Sequence, residues 1–148
     1  MVAWKLRVQL IRPVTIIENK WENGSCVTTG AGKSAIDHSI LSPALRRRLE
    51  KLVTILLAGG AAEHRFAGRR NNIGDASDRE EAAALVVDLS SDYDCAARAC
   101  YRDLAHRAEK IVQDHWNLIE ALAAELLAHK SMKPREVRAF LESLCAVG

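Results

Sequence analysis

The stretch 71-NNIGDASDREEAAALVVDL-89 has the apolar spacing that decides how most of this chain folds. Its apolar residues recur every three or four positions, at Ala82, Leu85, Val86 and Leu89. This spacing predicts a helix from about Ser77 to about Ser90 with one apolar face. At 3.6 residues per turn, Asp78 lies about 20° from Leu89 around the helix axis, so a carboxylate heads the apolar face.

A carboxylate that points inward needs a cation, a metal or good hydrogen bonds, because an unpaired buried charge is very costly. The position of Asp78 also suits a purely structural role, since an aspartate in a first helical turn accepts backbone N–H groups and meets the positive end of the helix dipole. Glu63 faces inward near the end of the preceding helix, just after Gly59 and Gly60, which leave room for another backbone. The two carboxylates are compatible with a functional site and equally with a salt-bridged edge of the core.

The spacing of apolar residues predicts four further helices. The first begins at the cap Ser42, followed by Pro43, and runs to about Phe66. The others lie around residues 97–111, around residues 118–127 and from Pro134 onward.

A short β-hairpin is predicted near the start of the chain. Residues 14–29, VTIIENKWENGSCVTT, contain two β-leaning runs around Asn23-Gly24, a dipeptide typical of tight hairpin turns. The predicted fold is therefore mainly α with a small β-hairpin, in a single domain over residues 1–148. The hairpin lies within residues 1–34, and residues 42–145 are predicted to form a helical bundle.

Composition excludes several classes of function. A net charge of +2 with 27% charged residues gives no strong field for nucleic acid. Arg46-Arg47-Arg48 spreads around a helix, which favours a solvated helix start over a nucleic-acid site. The longest uncharged run, residues 52–62, is too short to cross a membrane, so no membrane segment is expected. Four cysteines without a C-x-x-C pair, Cys26, Cys95, Cys100 and Cys145, indicate reduced thiols in a cytoplasmic protein.

The segment 28-TTGAGKS-34 contains part of a phosphate-binding loop but not all of it. The full pattern needs a glycine five positions before Gly32, where this chain has Val27. Such a loop also needs a helix that starts at the lysine, whereas the next helix is predicted to start at Pro43. We therefore expect no ATP binding.

Several segments together resemble the peptidase domain of the FtsH-type ATP-dependent zinc proteases. They are 52-LVTILLAGGAAEHRFAG-68, 71-NNIGDASDREEAAALV-86, the closing helices over residues 105–141, and VTIIENKWENGSCVTT. The resemblance covers most of the chain and implies a zincin-like fold and a polypeptide substrate or a partner protein. It matches Gly74 and Asp78 to the segment whose aspartate binds zinc beside two histidines of an H-E-x-x-H helix.

The resemblance also implies roles for other residues. Glu63 becomes a candidate to support the metal ligands. A substrate-side strand falls on Ser25, Cys26, Val27, Thr28 and Thr29. His64, Asp75 and Asp78 could form a makeshift metal site, although Asp75 also suits a helix start and His64 an exposed helix end.

The chain departs from the family at the catalytic motif. No H-E-x-x-H occurs, and the five histidines contain no pair four positions apart: His38, His64, His106, His115 and His129. Met1-Val2-Ala3 resembles the end of the catalytic helix, which implies a short helix over Val2 to Val8 before the hairpin. We therefore expect the family's motif to lie just upstream and this chain to be inactive by itself. Either the native protein is longer, or it has lost that helix. The rival interpretation is a non-catalytic helical interaction module, and homo-oligomerisation is left open.

Overall fold

The computed structural model of the chain describes residues 1–17, 42–69, 75–90 and 95–146. These residues are mainly helical, as the sequence predicts. The elements in chain order are α1 (Val2–Lys5), β1 (Val14–Thr15), α2 (Pro43–Ala67), α3 (Ala76–Leu89), α4 (Cys95–Asp114), α5 (Trp116–His129), β2 (Ser131–Met132) and α6 (Pro134–Ala146). They fall into two compact units. The first unit holds Met1, residues 3–31 and residues 115–148, and the second holds Val2 and residues 32–114.

The second unit is built from α2, α3 and α4. Its core joins apolar side chains of all three helices, which are Leu49, Leu52, Val53, Ala82, Val86, Leu89 and Leu104. Val53 and Ala82 are fully buried, and complete burial of a valine stabilises a fold by about 1.5–3 kcal/mol. Three of the four apolar positions that predicted α3, namely Ala82, Val86 and Leu89, therefore belong to this core, and Leu85 packs against it.

Helix α2 begins and ends where the sequence indicates. The Ser42 hydroxyl accepts a hydrogen bond from the backbone N–H of Leu45 at 3.2 Å, and Pro43 occupies the first turn. At the other end Gly68 adopts a left-handed conformation with φ of 70°, and its N–H donates to the carbonyl of His64 at 2.9 Å. The predicted bounds of this helix are confirmed to within one residue.

The first unit packs α5 and α6 with the two short strands. Its buried core is formed by Leu118, Leu122, Leu126, Met132, Val137 and Leu141. Trp4 and Leu10 of the N-terminal segment pack against this core. Helix α5 ends at Lys130, which adopts a left-handed conformation with φ of 64° and turns the chain into β2.

The described residues contain one two-stranded antiparallel sheet. Strand β1 pairs antiparallel with β2, with Val14 opposite Met132. The predicted turn at Asn23-Gly24 and the predicted second strand lie outside the described residues. Strand β1 therefore pairs with a strand that is distant in sequence. The sequence could not predict this pairing, because strands of two residues show no alternation of apolar and polar residues.

The N-terminal helix is shorter than predicted: it ends at Lys5, whereas the prediction placed its end near Val8. Arg7 is left-handed with φ of 55°, the N–H of Arg7 donates to the carbonyl of Trp4, and the N–H of Val8 donates to that of Ala3. This pair of hydrogen bonds is a Schellman motif, which ends helices. Within the described residues, none of the helices is long and apolar enough to span a lipid bilayer.

Candidate functional site

The candidate site lies in the second unit, where the start of α3 faces two glycines of α2. Gly60 is buried and Gly59 is exposed. A Cβ atom at Gly60 would lie 2.5 Å from Oδ2 of Asp75, and one at Gly59 would lie 3.9 Å from Oδ2 of Asp78. The glycines were predicted to admit a neighbouring backbone, but the groups that approach them are carboxylates.

Asp75 occupies the N-cap position of α3 without capping it through its side chain. Its side chain turns towards α2, so the residue is only 7% exposed. Oδ1 lies 3.0 Å from Nε of Arg79, one helical turn later. That distance is short enough for an ion pair. Oδ1 nevertheless accepts no hydrogen bond from the described residues, because the N–H of Arg79 is not aligned with it.

A cavity of about 30 Å³ lies beside this ion pair. Its polar lining comes from Asp75, Arg79, Tyr101 and Glu109, and the rest is apolar or glycine. A cavity of this size can hold one water molecule, and a buried water is stable when it has two or more polar partners. The cavity is therefore too small for an organic substrate.

Asp78 sits in the first turn of α3 and is half-buried. Burial is the largest cause that raises the pKa of its carboxyl above the ordinary value of 3.8, followed by the charges of Glu81 and Asp75. Both of those charged groups are carboxylates, so they oppose ionisation of Asp78 instead of supporting it. The side chain lies near Gly59 of α2 and is partly shielded from solvent.

The other predicted site residues lie on α2 or outside the described residues. Glu63 is half-buried on α2, and His64 is exposed in its last turn, as expected of a helix-end residue. The predicted substrate strand, Ser25 to Thr29, lies outside the described residues. Arg79 was not predicted, although its position four residues after Asp75 is the spacing of a helical ion pair.

The donor groups do not complete a zinc site within the described residues. Zinc sites in proteins use about three or four nitrogen, sulfur or carboxylate ligands. Residues 1–17, 42–69, 75–90 and 95–146 contain no group of three histidine, cysteine, aspartate or glutamate side chains placed to hold a metal ion. Asp75 and Asp78 share the glycine surface of α2, but the structure does not gather them with His64 into such a group.

Three cysteines of the described part carry free thiols, which are Cys95, Cys100 and Cys145. Burial raises the pKa of the Cys100 thiol, partly offset by Arg46. This thiol is therefore less reactive than an exposed one.

The sequence matches no model of a known protein family, and no curated protein is significantly similar to it.

Proposed function

We propose that this chain is the helical part of an FtsH-type zinc metallopeptidase domain, in which Asp78 supplies the aspartate ligand. The proposal rests on the resemblance of residues 71–86 to that family and on the half-buried position of Asp78 near Gly59 of α2, beside the carboxylates of Glu81 and Asp75. A carboxylate in that environment is stabilised by a cation, and perturbed acids of this kind are frequent at functional sites.

The remaining metal ligands would be the two histidines of the family's H-E-x-x-H motif, which this chain does not contain. A zinc ion bound by three protein ligands lowers the pKa of a bound water and so supplies the nucleophile for peptide hydrolysis. Glu63 would support the ligands from α2, and a polypeptide substrate would pair with the strand from Ser25 to Thr29. Because the motif is absent, we expect this chain to be inactive by itself.

The proposal is tested first on the 148-residue chain. We expect no turnover of casein or of labelled peptides, and less than one equivalent of zinc by elemental analysis after dialysis. Stoichiometric zinc with peptide turnover would contradict the expected inactivity.

The second test reads the genomic DNA upstream of the Met1 codon. An in-frame H-E-x-x-H would support the peptidase assignment. In the longer product, Asp78→Asn should then abolish zinc retention, whereas Glu80→Gln, an exposed carboxylate on the same helix, should preserve it. A stop codon with no such motif would favour a non-catalytic protein.

The second candidate function is a non-catalytic helical interaction module. What favours it is that several large apolar side chains of the described residues are exposed, with Phe66 of α2 84% exposed and Leu127 of α5 63% exposed. Leu127→Ser should then abolish capture of a partner protein while leaving the helical content unchanged. Retained capture by this variant would count against the module.

A further inference from the structure

The first unit carries a groove between its N-terminal segment and α6. Two adjoining clefts of about 330 Å³ and 500 Å³ form it. Both clefts are lined by Trp4, Val8 and Arg138, which makes them neighbouring parts of one surface. Each is at least as large as the smallest pockets that hold small ligands in proteins.

The groove is strongly positive for its size. Its charged lining consists of Lys5, Arg7, Arg135, Arg138 and Glu142. Four cations against one carboxylate leave a surplus of three positive charges. Arg7, Arg135 and Arg138 are exposed and form no ion pair with another residue that the structure describes. Within the described part of the chain, the basic groove, as we call this surface, therefore has fewer counter-charges than cations.

Apolar side chains lie among these cations. Trp4, Leu10 and Val137 line the same surface and pack into the core of the first unit. Apolar side chains that are anchored in this way keep their positions and do not lose freedom when a ligand binds. The groove therefore offers fixed apolar contacts beside exposed positive charges.

We propose that the basic groove binds an extended acidic peptide segment that carries at least one apolar side chain. Carboxylates of the segment would pair with Arg7, Arg135 and Arg138, because guanidinium groups bind carboxylates through two parallel hydrogen bonds. The apolar side chain would contact Trp4 and Leu10. This inference concerns the first unit and does not depend on the peptidase proposal.

The lining favours a peptide over a nucleic acid. Single-stranded nucleic acids are held by bases stacked on free aromatic faces along a basic path. Here the ammonium of Lys5 lies 5.9 Å from the ring centroid of Trp4, so a cation already covers a face of the ring. The net charge of the whole chain is only +2, which gives little long-range attraction for a phosphate backbone.

The test measures fluorescence anisotropy with the full chain and three labelled probes. The probes are a short peptide of alternating glutamate and leucine, the same peptide with glutamine for glutamate, and oligothymidylate. The variants are Arg138→Glu and Arg135→Glu in the groove, and Arg47→Glu as a matched exposed arginine of α2 outside it. Circular dichroism checks that each variant is folded.

We expect the acidic peptide to bind and its affinity to fall with added salt. Each groove variant should weaken binding about tenfold, whereas Arg47→Glu should change it less than about twofold. Equal binding of the neutral peptide, tighter binding of oligothymidylate, or equal losses in all three variants would each overturn the proposal.

Discussion

The carboxylate of Asp75 occupies the space into which a side chain at Gly60 would extend, because a Cβ there would lie 2.5 Å from Oδ2. Nonbonded carbon and oxygen atoms are normally separated by more than about 3 Å. Asp75 is also buried and paired with Arg79, so its carboxylate is not free to move into solvent. The contact between α2 and α3 therefore leaves no room for a side chain at Gly60 unless the carboxylate of Asp75 shifts.

Gly60→Ala should lower the free energy of unfolding by about 1–2 kcal/mol, measured by chemical denaturation. Alanine is favoured over glycine in a helix by about 1 kcal/mol, but the new methyl group must displace a buried carboxylate. Gly59→Ala is the matched control, because its methyl group would meet Asp78 at an ordinary distance of 3.9 Å. That variant should be neutral or stabilised, and equal destabilisation by both would contradict the steric explanation.

Arg79→Ala should destabilise the protein by about 1–3 kcal/mol, because it leaves the carboxylate of Asp75 buried without its cation. The comparison is Arg46→Ala, which removes an ion pair of the same spacing whose side chains are 52% and 28% exposed, together with a 3.4 Å hydrogen bond from Arg46 to the carbonyl of Leu89. Exposed pairs contribute less than about 1 kcal/mol. Thermal unfolding of both variants measures the difference, and a larger loss in Arg46→Ala would refute the assigned importance of burial.

Asp78→Asn should stabilise the chain at neutral pH. The folded-state pKa of Asp78 is raised above 3.8, so its ionised form lowers stability, and this penalty grows as the pH rises above 3.8. The penalty is complete above the folded-state pKa and absent below about pH 3.8. Because the carboxylate is half-buried, solvent screening limits the gain to less than about 1 kcal/mol.

Denaturation of the Asp78→Asn variant at a series of pH values measures this effect. The difference in free energy of unfolding between this variant and the wild-type chain should shrink as the pH falls. Glu80→Gln, which changes an exposed carboxylate of the same helix, should show no such trend. Destabilisation by Asp78→Asn at neutral pH would show that the aspartate mainly stabilises the start of its helix. A gain in stability instead fits a residue retained for binding at a cost to folding.

Lys130→Gly should raise the free energy of unfolding by up to about 1 kcal/mol, since Lys130 adopts the left-handed conformation that glycine accepts without strain. The backbone carbonyl of Lys130 still accepts from the N–H of Ile16 after this substitution. Lys130→Ala is the control and should not stabilise, because alanine has the same Cβ strain. If Lys130→Ala raised the free energy of unfolding equally, the effect would come from loss of the lysine side chain and not from relief of backbone strain.

The helices could be predicted from sequence because their signals are local. Ser42 and Pro43 start α2, Gly68 ends it, and the spacing of apolar residues fixes which face is buried. The inward position of Asp78 follows from the same geometry. These features depend on residues within one or two helical turns of each other.

The burial of Asp75 could not be predicted in this way, because an aspartate before a helix usually caps it and stays exposed. Its position depends on Gly60, which lies on another helix. The pairing of Val14 with Met132 was likewise out of reach, because two-residue strands carry no periodicity. Long-range packing decided both features.

The pairing of β1 with β2 sets an order for assembly during synthesis. The hydroxyl of Thr15 donates to the carbonyl of Lys130 across 115 positions of sequence. All three helices of the second unit lie between these residues, so they leave the ribosome before the partner of β1 does. The second unit can therefore pack its core in the nascent chain, whereas the first must wait for its last helix and close a long loop. Until then, Trp4 and its apolar neighbours lack the core against which they pack.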